Sequence, residues 1–137
     1  MIDLNWGRIA LAILAAAIAS SLTDWFFFGV LFHDKYLQTP ELWRGGPKGT
    51  ETKQIMWSTV IATISCALFI VLCAGLNFHS YSATLKLAAA VWLVGSLPIV
   101  LTNHLFIKLN WALAVSHSSG YLVRLVLAAV AYTLIVH

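Results

Sequence analysis

Charge is what this 137-residue chain has least of: aspartate and glutamate number 5, lysine and arginine 8, and charged residues make up 9% of the sequence against 61% hydrophobic. A soluble domain carries roughly a quarter charged residues, so an aqueous surface around the whole chain is excluded. The few basic residues are dispersed, which leaves nucleic-acid binding without support. Two cysteines, Cys66 and Cys73, fall inside one apolar run. They make neither a secreted disulfide framework nor a zinc cluster, and read as small buried apolar side chains. No glycine-rich phosphate loop, nucleophile elbow or HExxH helix is present to carry a known chemistry.

What the sequence does have is long apolar runs, at residues 9–32, 55–77, 84–107 and 111–136. Each exceeds the roughly 20 residues of helix that span a bilayer core. No alternation of polar and apolar residues persists through them, so membrane strands are a poor reading. The runs predict an all-α fold, an integral membrane four-helix bundle forming a single transmembrane domain over residues 1–137. One longer loop, His33 to Gln54, joins helices 1 and 2, and two tight turns join the rest. Arg8 and the Ala17-Ile18-Ala19 step would suit a cleaved leader, but the apolar run resumes at Trp25 and argues against one. Inside the loop, Thr39-Pro40-Glu41 has the chemistry of a helix start and Gly45-Gly46-Pro47 that of a stop. The segment between them is either a short interfacial helix or an irregular tether.

Basic residues set the expected orientation. Lys35, Arg44, Lys48, Lys53 and Lys108 flank the side of the first and third loops, whereas Arg8 and Lys86 flank the other. This asymmetry predicts cytoplasmic first and third loops and both chain ends outside. Trp6, Trp57, Tyr81, Trp111 and Tyr132 sit near predicted helix ends, where amphipathic rings prefer the headgroup region.

Against this apolar background the polar residues stand out. His117, Tyr121 and Arg124 follow at i, i+4 and i+7 on helix 4, and an ionisable group at membrane depth must be shielded, paired or used. Helical rise places Asp24 about 12 Å deep from the side of the first and third loops, His117 about 9 Å, Tyr121 about 15 Å and Arg124 about 20 Å. On helix 1, Ala12, Ala16, Ser20 and Asp24 form a line of small residues ending in a carboxylate, a pattern that turns Asp24 toward protein. Helix 3 brings Asn103 and His104 one turn after Pro98, where a kink would open a polar niche. If helices 1, 3 and 4 share an interior, then Asp24, Asn103, His117, Tyr121 and Arg124 line a pocket for a ligand or a partner group.

Simpler readings compete with that pocket. Asp24 and Arg124 can form a structural ion pair if arginine snorkels across their depth difference of about 8 Å. His117 and Tyr121 can each serve a helix-to-helix hydrogen bond, and His104 lies close enough to the interface to be wet. Asp24 with two histidines would suit a divalent metal if they converged, but spacing does not assemble them. His104 and His117 differ in depth and are separated by a turn, which disfavours a bis-histidine haem. No cofactor and no metal is therefore predicted.

At these residues the chain resembles a known family. Phe26 to Tyr36, reading FFFGVLFHDKY, is similar to the end of the first helix in the small bacterial membrane proteins called DUF1761, and Thr39-Pro40-Glu41-Leu42-Trp43-Arg44 to a loop motif of one branch. Further on, Trp92 through Gly95, Asn103 with Leu105 and Phe106, Trp111, and Gly120-Tyr121-Leu122-Val123 resemble the family's later motifs. Departures are Phe26, where relatives often carry tryptophan, and Leu122, where they often carry histidine. The resemblance implies a four-helix membrane fold, a bacterial inner-membrane location and no assigned activity.

The combined expectation is a non-enzymatic integral membrane protein. It binds a small lipophilic ligand through the five-residue pocket, or serves as a homo-oligomer or accessory subunit of a membrane complex in contact with the lipid bilayer. The alternatives are a membrane enzyme acting on a lipophilic substrate, with Arg124 holding an anionic group, Tyr121 as proton donor and His117 as base, and a small transporter with Asp24 and His117 as a proton relay.

Overall fold

The computed structural model describes residues 5–38, 52–107 and 109–137. The helix start expected at Thr39 and its glycine-rich stop lie outside the described residues. Among the described residues there are five helices and no strand: α1 (Trp6–Leu31), α2 (His33–Leu37), α3 (Thr52–Gly75), α4 (Tyr81–Phe106) and α5 (Trp111–Val136). All but α2 are long and apolar enough to cross a membrane, at 24 or 26 residues each. A 26-residue helix is about 39 Å long, more than the hydrocarbon thickness of about 30 Å. The chain has the all-α architecture of an integral membrane protein.

Three of these helices begin earlier than the apolar runs suggest, because polar side chains rather than hydrophobicity decide where a helix starts. Asn5 Oδ1 accepts from the Arg8 N–H at 3.1 Å, and Ser80 Oγ from the Ala83 N–H at 3.3 Å. These caps satisfy amide groups that the first turn leaves without partners. Helix α3 starts at Thr52 and ends at Gly75, two residues before its expected limit. Its exit is closed by Asn77 in the left-handed region, φ 56°, with Phe78 N–H bonded to the Cys73 carbonyl at 3.1 Å and Asn77 N–H to Ala74 at 3.0 Å. Asparagine tolerates that conformation better than most residues with a Cβ.

The stretch expected as loop opens with helical structure. Lys35 and Tyr36 N–H groups both bond the Phe32 carbonyl, at 3.0 and 3.2 Å, and start α2. This short helix turns the chain back toward the bundle and buries Tyr36.

Helix α5 is the hub: it packs on α1, α3 and α4, whereas α1 also packs on α3 and α4 leans mainly on α5. The small residues Ala12, Ala16 and Ser20 of α1 are fully buried, as are Cys66, Ile70 and Cys73 of α3 and Ala128 and Ala129 of α5. Lipid tails are as apolar as side chains, so close van der Waals packing rather than hydrophobicity holds these helices together. Both thiols are free and buried, and Ser20 Oγ lies 3.5 Å from Cys66 Sγ at the α1–α3 crossing.

Helix α4 is attached to α5 by spaced polar contacts. Thr84 and Thr133 hydroxyls meet at 3.1 Å, Trp92 Nε1 donates to the Ser118 carbonyl at 2.9 Å, and His104 Nδ1 donates to the Leu109 carbonyl at 2.8 Å. His104, expected to be simply wet, thus closes the α4–α5 turn, with its ring 5.1 Å from that of Trp111.

Two π-helical turns interrupt the long helices, at Phe27–Leu31 in α1 and Trp92–Ser96 in α4. The second directly precedes Pro98. Proline has no N–H to give and its ring crowds the carbonyl four residues back. A π turn, in which the Leu97 N–H reaches the Trp92 carbonyl, shifts that register and relieves the crowding. The distortion expected at Pro98 takes this form.

Candidate functional site

The polar residues of α1 and α5 meet on one side of the bundle. Arg124 donates from one guanidinium nitrogen to Asp24 Oδ2 at 2.7 Å, with side chains only 12% and 17% exposed. Each charge therefore has its counter-ion at membrane depth, and arginine's reach closes the difference in depth between the two positions. The Tyr121 ring lies beneath, 5.8 Å from Arg124 Cζ to centroid, in cation–π range. Arg124 Nε is buried and has no hydrogen-bond partner among the described residues.

One turn toward the α5 start, His117 is placed against aromatic rings. Its ring centroid is 5.2 Å from Phe28, within the π turn of α1, and 6.1 Å from Tyr36 on α2. The Tyr36 hydroxyl is 3.3 Å from His117 Nε2 and 3.4 Å from Ser116 Oγ. Burial pushes the Tyr36 phenol above its ordinary pKa, and the Ser116 hydrogen bond offsets part of the rise. The phenol thus keeps its proton at physiological pH. His117 is itself exposed at the bundle surface, and among the described residues no hydrogen bond reaches its Nδ1.

Asn103 does not join this group. It is half-buried on α4, its backbone carbonyl accepts from the Ile107 N–H at 2.8 Å, and its side chain makes no hydrogen bond among the described residues. Helix α4 packs mainly on α5 and, among the described residues, makes no extensive contact with α1, so a shared depth does not bring the polar residues of α1 and α4 together.

The polar niche expected beside Pro98 is an apolar cleft of about 230 Å³ between α4 and α5, walled by Trp92, Leu97, Val100, Leu101, Trp111 and Val115. Serines on its α5 wall are turned inward by local bonds: Ser119 Oγ donates to the Val115 carbonyl at 2.6 Å, and Ser118 Oγ accepts from Trp92 Nε1 at 3.0 Å. Among the described residues no group of three or more histidine, cysteine or acidic side chains could hold a metal. His104 belongs to the α4–α5 turn and His117 to the α1–α2–α5 cluster, so these two histidines do not share a site.

Phe28 and Tyr36 are the members of the cluster that residue-by-residue reasoning missed. Both lie in the FFFGVLFHDKY segment, whose aromatic density was the available signal. Phe28 also covers Gly120, where an added Cβ would meet its Cζ at 3.8 Å.

No curated protein and no solved structure matches this chain. A profile of the family described as "Protein of unknown function (DUF1761)" matches residues 11–133, a span that contains both π turns, the ion pair and the His117 cluster. The chain belongs to the DUF1761 family.

Proposed function

We propose that this protein is a non-enzymatic integral membrane protein that binds a small lipophilic ligand at the α1–α2–α5 face, with the ligand's polar group against His117. The observation that carries this reading is the state of His117. An imidazole at membrane depth is exposed, is held in position by Phe28 and Tyr36, and has an Nδ1 with no partner among the described residues. A polar nitrogen facing hydrocarbon is unfavourable; a carbonyl- or hydroxyl-bearing lipid would satisfy it. Asp24 and Arg124 serve here as a neutralised pair bordering the site, with Tyr121 packed on the arginine.

That pairing also weighs against the other readings. A hydrolase-like or transferase role needs Arg124 free for an anionic group, and a proton relay needs Asp24 free to titrate, whereas the two engage each other. A bacterial inner-membrane location, with the chain ends outside, belongs to the same proposal. So does a place beside a second copy or a larger complex, for which the exposed Leu105 and Phe106 of α4 offer apolar surface.

Native mass spectrometry of the protein extracted from its own membrane tests the ligand directly. A retained lipophilic molecule that is lost from His117→Ala but kept by Tyr36→Phe, which loses the same hydrogen bond, is the expected result. Identical retained lipids in wild type and His117→Ala would overturn the reading.

A further inference from the structure

At the end of the bundle opposite the His117 cluster, the α3–α4 turn and the first turns of α4 border a cleft of about 460 Å³, lined by Phe78, Ser80, Ser82, Lys86, Leu87 and Ala90. The packing of the helices leaves room for it. Helix α3 packs on α1 and α5, α4 packs mainly on α5, and among the described residues α3 and α4 make no extensive contact with each other. Lys86 and Ala90 are accordingly exposed.

Polarity in the cleft is graded along the helix axis. Ser80 and Ser82 stand at the start of α4, while helical rise puts Lys86 about 8 Å and Ala90 about 14 Å further in. Ser82 makes no hydrogen bond among the described residues, and Ser80 Oγ accepts from the Ala83 N–H at 3.3 Å, which leaves its own proton to donate. Two hydroxyls and an ammonium thus precede an apolar stretch.

The ammonium is without a protein counter-ion. The acidic side chains among the described residues are Asp24, which is paired with Arg124 at 2.7 Å, and Asp34, which lies in α2 at the other end of the bundle. Arg8, on the same side as Lys86, is bonded through its guanidinium to the Val136 carbonyl at 3.4 Å. A lysine within a membrane-spanning helix extends its ammonium toward the phosphate layer and is stabilised by an anion there.

We propose that this cleft binds one anionic phospholipid, with its phosphodiester on Lys86 and the Ser80 and Ser82 hydroxyls and an acyl chain along Leu87 and Ala90. Basic pockets beside membrane helices hold anionic headgroups in this way. Net charge selects the headgroup: a zwitterionic lipid brings its own ammonium next to Lys86, whereas one of the phosphatidylglycerol type brings none. The acyl contact selects a lipid over a free phosphate ion. This site lies on α4 and is separate from the one proposed at His117.

Native mass spectrometry of delipidated protein in detergent, titrated with phosphatidylglycerol or phosphatidylcholine of the same acyl chains, reads the affinity for the first lipid bound. Wild type is expected to prefer phosphatidylglycerol about fivefold, the effect of one basic residue at an anionic membrane surface. Lys86→Gln should abolish that preference, whereas Lys86→Arg, Arg8→Gln and His117→Ala should keep it. Equal affinity of wild type for the two lipids overturns the proposal without recourse to any variant. A preference lost to the same extent in Lys86→Gln and Arg8→Gln would show diffuse attraction to this side of the protein, and loss in His117→Ala alone would assign the lipid to the other face; either result overturns the site. Inorganic phosphate at millimolar concentration should leave the lipid in place, and displacement by it would overturn the lipid assignment in favour of a free anion.

Discussion

The Tyr36 hydroxyl stands 3.3 Å from His117 Nε2 although 81 residues separate them, and that contact ties the short helix after α1 to the start of α5. Tyr36→Phe keeps the ring packing and deletes the hydrogen bonds, so we expect a loss of about 1 kcal/mol and faster amide exchange in residues 33–37. The pH dependence has a definite sign. Because burial raises the Tyr36 pKa, the unfolded chain releases this proton first, near pH 10. The contribution is therefore complete below about pH 10 and declines as pH rises toward the folded value. Melting curves of wild type and Tyr36→Phe should converge above that pH; parallel curves would sink the argument.

Asp24 and Arg124 make the second test. Asp24→Ala leaves a buried guanidinium without its counter-ion and should lower stability in detergent by about 3 kcal/mol or more. Asp24→Ala combined with Arg124→Leu should recover part of the loss, since neither charge then remains. Strictly additive losses in the double variant would mean that the pair is not coupled.

Asn77 holds a positive φ, so glycine should be tolerated there and alanine should not. We expect Asn77→Ala to destabilise by about 1 kcal/mol and Asn77→Gly to remain within a few tenths of wild type. Thermal melting in one detergent orders the three proteins; an alanine variant as stable as the glycine one would contradict the turn geometry.

Orientation follows from the distribution of lysine and arginine. In a Cys66→Ala, Cys73→Ala background, single cysteines at Thr50 and Ser82 should be labelled from opposite sides, the first only from the cytoplasm. Labelling of position 50 from outside alone would reverse the proposed topology.

Much of this fold is legible in the sequence, and what is hidden there is hidden for physical reasons. The spans were legible because an apolar run longer than the bilayer core admits few other structures. Asp24 could be turned toward protein because Ala12, Ala16 and Ser20 precede it at helical spacing. The packing of Asn103 is not legible in the sequence, because helical rise gives depth but not the order of helices around the bundle. Tyr36 was missed because α2 is five residues long, too short for a periodic pattern to register. The early starts of α1 and α4 were hidden in Asn5 and Ser80, whose importance lies in one side-chain oxygen each.

The packing of α4 has a consequence for biosynthesis. Its main partner is α5, which follows it in the chain, and among the described residues it makes no extensive contact with α3, its predecessor. During synthesis α4 therefore enters the membrane before its docking surface exists, and the Trp92 indole N–H waits for the Ser118 carbonyl of α5. Emergence of α5 gives α1, α3 and α4 their common neighbour in one event, so the bundle cannot mature before α5 has been made.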